Sequence, residues 1–319
     1  MAQQSGSASY LSLVAACDDF PYDPAAVEAY YQLNLPNDRR PHGYMLPEIV
    51  DQMPWTADFA ICHDQPRSVT VLDSSNGTDT VSAVNDAFAR IVNDCVERKL
   101  FDLLCGQHSE PFAIVGANYE RPVHVERFAA ALFGLTQTGA HLIAYTMDPD
   151  TGMKLWIPRR AAHLYTYPGK LDTTVAGGMK AGSSPYNTVI AEAQEEASFD
   201  EVLLRQHARS RGAVSHMSVT GTGFPGEQGL VVPNVDFIYD MELPPDVVPK
   251  PQDGEVGEFY CMSVEEVQAA LLREEFKPEP AAVLIDFLIR HSFITPENEP
   301  EFVEITTRLH RRLPFKVGV

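Results

Sequence analysis

Glu192, Glu195 and Glu196 stand at i, i+3 and i+4 in a run whose apolar residues Tyr186, Ile190, Ala193 and Ala197 recur every three or four positions. On an α-helix that spacing gathers the apolar groups into one stripe and sets the carboxylates together on the neighbouring face. Like charges held this close repel in water unless a cation lies among them, and clustered carboxylate oxygens suit Mg2+ or Mn2+. Gly177 and Gly178, just upstream, let backbone amides and carbonyls approach the same point. A glutamate face alone is the ordinary solvated side of a surface helix. The glycine turn immediately before it gives this one a chemical reading.

The elements that must hold these residues are legible around them. Ser184-Pro185 reads as an N-cap serine followed by proline at the first helical position, so a helix should run from there to about Ala197. The stretch Thr173–Gly182 reads as a glycine-bearing loop. Strands are expected at Pro111–Val115, Leu132–Thr136, His141–Met147, Lys154–Pro158, Ala213–Thr222, Val235–Glu242 and Gly257–Met262. The turn Asp148–Gly152 should close a hairpin. Helices are expected at Ser82–Arg98, Ser263–Arg273 and Glu279–His291. The order predicts an α+β protein, the later part an α/β/α sandwich. The pattern changes near Asn118–His124, which suggests a smaller N-terminal α+β domain at 1–123, a second domain at 124–292 and a C-terminal extension at 293–319.

Composition narrows the partners. The 319 residues include 44 Asp+Glu against 24 Lys+Arg, a formal charge of −20. Nucleic acid and anionic membrane surfaces want basic patches, so both are excluded as expected partners. A phosphate-bearing substrate would need a metal ion or a few placed basic groups. The five scattered cysteines form no CxxC pair, which points to reduced thiols. The apolar runs are too short to span a bilayer, and the opening MAQQSGSASY has neither the charge nor the arginine of a leader, so a soluble cytoplasmic protein is expected. No Ser-His-Asp arrangement, P-loop or dinucleotide fingerprint is present.

The segment Gly177–Phe199 resembles the Nudix box, aligned on Glu195-Glu196 with Gly177 at its first glycine and Glu192 in its Arg-Glu pair. Leu155-Trp-Ile-Pro-Arg-Arg160, Tyr167-Pro-Gly-Lys-Leu-Asp172, Thr174-Val-Ala-Gly-Gly178, Phe237–Pro244, Asp253-Gly-Glu-Val256 and Glu258-Phe-Tyr260 are similar to a subgroup of that family. So are Cys17–Tyr22 and Ile294–Pro300. The subgroup is the thiamin-pyrophosphokinase-related Nudix hydrolases of fungi and plants, and the likeness covers nearly the whole chain. No thiamin pyrophosphokinase domain is expected beside it. The box is diverged: Ser183 stands for its upstream Glu, Ala191 for its Arg and Ser198 for its closing Gly.

The resemblance implies a Nudix α/β/α sandwich and hydrolysis of a small organic diphosphate, thiamin-diphosphate-like, to a monophosphate and phosphate. It implies Mg2+ (or Mn2+) on Glu192, Glu195 and Glu196, with one of these, Glu255 or Glu258 taking the proton of the attacking water. Arg159, Arg160 and Lys170 are candidates for the distal phosphate, and Gly177 and Gly178 for the backbone that approaches it. On a strand only one of the two arginines can face the site. Trp156, Tyr165, Tyr167 and Tyr186 are candidates to stack on a heteroaromatic group, while His163 is assigned no role. The losses at 183, 191 and 198 support a second reading: a Nudix-fold protein recruited to ligand binding or to isomerase or cyclase chemistry. The organic half of the substrate and the oligomeric state are not encoded legibly.

Overall fold

The computed structural model describes residues 8–104, 110–222, 224 and 226–318. Cys105 and residues 1–7, used above for the thiol count and the leader, lie outside them.

The chain begins with a short helix, α1 (Tyr10–Ala15), capped by Ser9, whose hydroxyl accepts from the Ser12 amide while the Ser12 hydroxyl is returned to the Ser9 amide. Four strands follow, β1 (Tyr31–Leu35), β2 (Asp38–Met45), β3 (Phe59–Cys62) and β4 (Ser68–Val71), with α2 (Pro47–Gln52) between the second and third. They form one sheet in the order β2-β1-β4-β3, with β1 and β4 parallel. Helix α3 (Thr80–Arg98) turns one stripe inward, Val81, Val84, Phe88, Ile91, Val92 and Cys95. The helix expected at Ser82–Arg98 is found two residues longer at its start, and the stripe joins the sheet's Leu33, Leu35, Val69 and Val71 in one core. A two-stranded ribbon comes next, β5 (Pro111–Ala113) with β6 (His124–Glu126).

The second sheet is larger. Its strands are β7 (Gln137–Asp148), β8 (Gly152–Arg160), β9 (Val175–Gly178), β10 (Arg209–Val219), β11 (Val231–Glu242) and β12 (Val256–Ser263). The order is β10-β11-β7-β8-β12, with β9 laid on β7, and β11 runs parallel to β7. Successive side chains of β7 point to opposite faces, so the strand feeds two cores at once. Ala140, Leu142 and Ala144 pack with Val189, Ile190 and Ala193 of α4 (Pro185–Ala197) and Leu204 of α5 (Glu201–His207). Ile143 and Tyr145 pack on the other face with α1, α6 (Val264–Leu272), α7 (Pro278–Arg290) and α8 (Phe302–Leu309). The protein is therefore α+β, and this sheet lies between helices on both faces.

Two expectations need correction. Leu132–Thr136 is not a strand: it is wound into turns by Leu132, Phe133 and Gly134 amides donating to Ala129, Ala130 and Ala131 carbonyls. It is apolar because it is buried all round, with Leu132 at 1% and Phe133 at 0% exposure, and only Leu135 forms a bridge, to Gly43. Conversely, Thr173–Gly182 is not wholly loop, because Val175–Gly178 pairs with β7 from Leu142 to Gly139. Among the described residues no helix is long and apolar enough to cross a membrane.

Candidate active site

Helix α4 forms as its sequence dictates. Ser184 Oγ accepts from the Asn187 amide, Pro185 opens the first turn, and the helix ends at Ser198, whose φ of 55° is left-handed. The three glutamates take three different environments. Glu195 is exposed, Glu192 is half-buried, and Glu196 is only 9% exposed, turned into the helix's buried face beside Ala193 and Ala197. Glu196 Oε2 accepts from the Ala176 amide at 3.1 Å, which ties the helix to β9. Glu192 lies over Gly177: a Cβ there would stand 2.3 Å from its Cγ and Cδ.

Glu192 and Glu196 are both hard to ionise. Burial first, then the Glu195 charge, push Glu192 up to about 7, with Arg127 acting against them. Burial, then the charges of Glu192 and Asp172, raise Glu196 well above the usual carboxylate range. Glu255 adds negative charge at both, so Glu195 and Glu255 lie within electrostatic reach of Glu192, and Asp172 and Glu255 within reach of Glu196. Glu258 accepts from the Tyr260 hydroxyl.

Opposite the helix, on the other side of the Gly177–Gly178 strand, is a polar cavity of about 130 Å³. Its walls include Arg127, His141, Asn234, Asp236, Lys277 and Glu279. None of these six drew notice in the sequence, where they are scattered over four stretches: Arg127, His141, Asn234 with Asp236 in β11, and Lys277 with Glu279 at the start of α7. Asp236 is buried between two imidazoles, His141 Nε2 and His216 Nε2, each 3.5 Å from a carboxylate oxygen, and accepts from Asn234 Nδ2 at 2.8 Å. Burial works against its charge, but the hydrogen bonds from the histidines prevail and hold Asp236 well below the usual range. His141 Nδ1 lies 2.9 Å from Thr173 Oγ1. Lys277 and Glu279 face each other at 3.5 Å.

The sequence-selected cations go elsewhere. Lys170 donates to the Glu274 carbonyl at 2.6 Å. Arg159 donates to the Gly169 carbonyl and the Tyr260 hydroxyl, with its guanidinium over the Tyr260 ring. Arg160 pairs with Asp172 at 3.2 Å and donates to the Thr166 carbonyl, so it reaches the acid group only through Asp172. The two arginines do point apart, as strand alternation requires. Among the aromatics, Tyr186 packs on Tyr239 and Tyr165 is exposed, whereas Tyr167 lies under Lys277 of the cavity wall.

The chain is 37% identical over 201 residues to Nudix hydrolase 20, chloroplastic, of Arabidopsis thaliana, and 39% identical over 186 residues to Nudix hydrolase 24, chloroplastic, of the same plant. These relatives support the Nudix hydrolase family. The aligned stretches take in 62% and 58% of this chain but 51% and 48% of those proteins, so the chain spans about half the length of these Nudix relatives. A third relative, the Saccharomyces cerevisiae uncharacterized protein YJR142W, is 41% identical over 215 residues, 66% of this chain and 63% of that protein. No protein-family model matches.

The two serines at the ends of the glutamate helix, Ser183 and Ser198, find partners locally. Ser198 takes the left-handed cap position and its hydroxyl bonds the Lys250 carbonyl and Gln252, both at 3.0 Å. Ser183 Oγ bonds Thr188 Oγ1 at 3.1 Å within the first turn. For a divalent cation, the fit rests on the donor set. Glu192 and Glu196 are carboxyls whose neighbours' negative charge opposes their ionisation, a repulsion that a cation would relieve. Among the described residues no three His, Cys, Asp or Glu side chains already converge to hold a metal. Mg2+ asks for less, since it is commonly held by one or two carboxylates with waters and substrate phosphates completing the shell.

Proposed function

We propose that this chain is a Mg2+-dependent Nudix-type hydrolase that cleaves a small organic diphosphate, thiamin-diphosphate-like, to a monophosphate and phosphate. The observation that carries the reading is the pair Glu192 and Glu196, brought to β9 by packing and raised by burial, then by neighbouring acids: Glu195 at Glu192, and Glu192 with Asp172 at Glu196. Glu192 and Glu196 would hold the cation, with exposed Glu195 completing the set. When bound, Mg2+ would neutralise phosphate charge and make water a better nucleophile at neutral pH.

The protein's own residues supply position and polarity. Gly177 and Gly178 leave β9 without side chains where the diphosphate would lie, and Glu255, in electrostatic reach of both Glu192 and Glu196, is the group we assign to accept a proton from water. The cavity walled by His141, Asn234 and Asp236 is suited in size to a ring or other small part of the organic half. Residues 1–123 are proposed as a family-specific domain, 124–292 as the Nudix domain and 293–319 as its extension. We place the protein in the cytoplasm, with the small diphosphate as its partner.

The second reading, recruitment to non-hydrolytic chemistry or ligand binding, draws on Ala191: α4 carries no basic residue at all, so its glutamates have no cation on their own helix. One assay separates the two. The purified chain is incubated with Mg2+ or Mn2+ and a panel of organic diphosphates beside a Glu195→Gln/Glu196→Gln variant, and phosphate release is followed. Turnover by the parent and loss in the variant support hydrolysis; no turnover across the panel, or equal activity in the variant, overturns it.

A further inference from the structure

The candidate phosphate-binding cations read from the sequence are committed to backbone carbonyls, a tyrosine and Asp172, whereas a different arginine lies across β9 from the acid helix, within electrostatic reach of Glu192. Arg127 follows β6 in a short 3-10 turn. Its guanidinium passes over bare Gly178: a Cβ there would stand 2.9 Å from Cζ and 3.0 Å from Nη2. The group is held from outside the sheet. Nη1 donates to Glu110 Oε2 at 3.1 Å, the Arg127 amide donates to the Glu110 carbonyl at 2.9 Å, and the guanidinium rests on the Phe112 ring. The other Glu110 oxygen holds Lys180 Nζ at 2.9 Å. The Ala181 amide donates to the Pro111 carbonyl at 2.7 Å, which locks the glycine segment to the same ribbon.

Arg127 also forms part of the cavity wall, together with Gly177, Gly178 and Lys277. The other cationic or basic groups there have close acidic neighbours inside the cavity, Lys277 with Glu279 and His141 with Asp236. Among the described residues the only hydrogen bond from the Arg127 side chain is the one from Nη1 to Glu110, so Nη2 stays directed along the bare strand. A planar fork lying over a strand without side chains, across that strand from Glu192 and within its electrostatic reach, has the donor geometry for a phosphate oxygen.

We propose that Arg127, set by Glu110 and Phe112, is the substrate-binding residue for a phosphate group, and that the β5–β6 ribbon thereby builds one wall of the site. The inference rests on the reading above that the substrate is a diphosphate. It takes the phosphate contact away from Arg159 and Lys170.

The test uses the full chain with Mg2+ and two probes, inorganic phosphate and inorganic diphosphate, titrated calorimetrically against the parent, Arg127→Gln, Arg127→Lys and Arg159→Gln, with melting temperatures recorded for each. Arg127→Gln should bind both anions roughly tenfold or more weakly, the loss of one charge-assisted contact, with Arg127→Lys in between and Arg159→Gln like the parent. With an organic diphosphate that turns over, the Arg127→Gln change should fall mainly on KM. Parent-like anion binding by a folded Arg127→Gln variant, or no anion binding by the parent, overturns the proposal. Should the parent hydrolyse nothing in the panel while its anion binding still depends on Arg127, the hydrolase reading fails and this inference stands.

Discussion

Gly177 and Glu192 are fitted to one another: the volume that a Cβ on Gly177 would occupy is already taken by the Cγ, Cδ and Oε1 of Glu192. Gly177→Ala should therefore displace the carboxylate. The displaced atoms are the end of a flexible side chain, so the fold should tolerate the change, with a melting temperature within a few degrees of the parent. Diphosphate hydrolysis should fall about tenfold or more, because positioning errors near 1 Å at a reacting centre have costs of that order or greater. Circular-dichroism melts and phosphate release measured side by side check this. Unchanged turnover would remove Glu192 from the site.

Glu192 is also a place where function opposes stability. Its pKa rises from 4.5 in the unfolded chain to about 7 in the fold. A carboxyl raised in this way favours folding least where it must ionise, so its contribution is lost as pH rises from 4.5 through about 7. In chelator-treated protein, Glu192→Gln should be nearly neutral below pH 4.5 and increasingly stabilising above it. The gain at pH 8 should be on the order of 3 kcal/mol. The same variant should lose hydrolysis. Denaturant melts across pH 4–8 decide it, and a gain independent of pH would sink the account.

Gly134 is a different kind of glycine. Its φ is +60°, and a Cβ there would lie 2.0 Å from the Tyr44 carbonyl oxygen, which belongs to β2 of the first sheet. Neither side of that contact is a flexible side-chain tip. Gly134→Ala should destabilise by about 3 kcal/mol or more and leave little folded protein at 37 °C. A melting temperature close to that of the parent would show that the two backbones can part at little cost.

Asp236 holds its charge between His141 and His216. Burial lowers the His216 pKa, but the Asp236 hydrogen bond and neighbouring acids raise it more, so the net shift is upward. The His216 contribution is thus complete below about pH 6.5 and lost as pH rises through its folded value. That of Asp236, whose pKa is depressed, is complete above about pH 4 and lost on acidification. Asp236→Asn should cost about 3 kcal/mol or more, with the largest gap from the parent between those limits. A gap that stays flat from pH 4 to 8.5 would contradict the pairing.

The local features of the site were written in the sequence. Ser184-Pro185, the stripe Ile190-Ala193-Ala197 and the Asp148–Gly152 turn act through neighbours a few residues away, so α4 and the β7–β8 hairpin stand where their residue types place them. The acid triplet was equally visible, because its spacing is a property of the helix itself. Tertiary packing decided which carboxyl went where. Glu196 enters the buried face because the Ala176 amide of β9 is there to meet it, a partner brought by strand pairing. Lys170 and Arg159 look like phosphate ligands in sequence and are taken up by the Glu274 and Gly169 carbonyls, which no periodicity reveals. Arg127, His141, Asp236 and the Lys277–Glu279 pair come from separate elements and meet only when the ribbon, the sheet and the start of α7 close on one cavity. Short-range propensity can set a helix and its charges, but a cavity wall is made of long-range contacts, and those exist only in the folded chain.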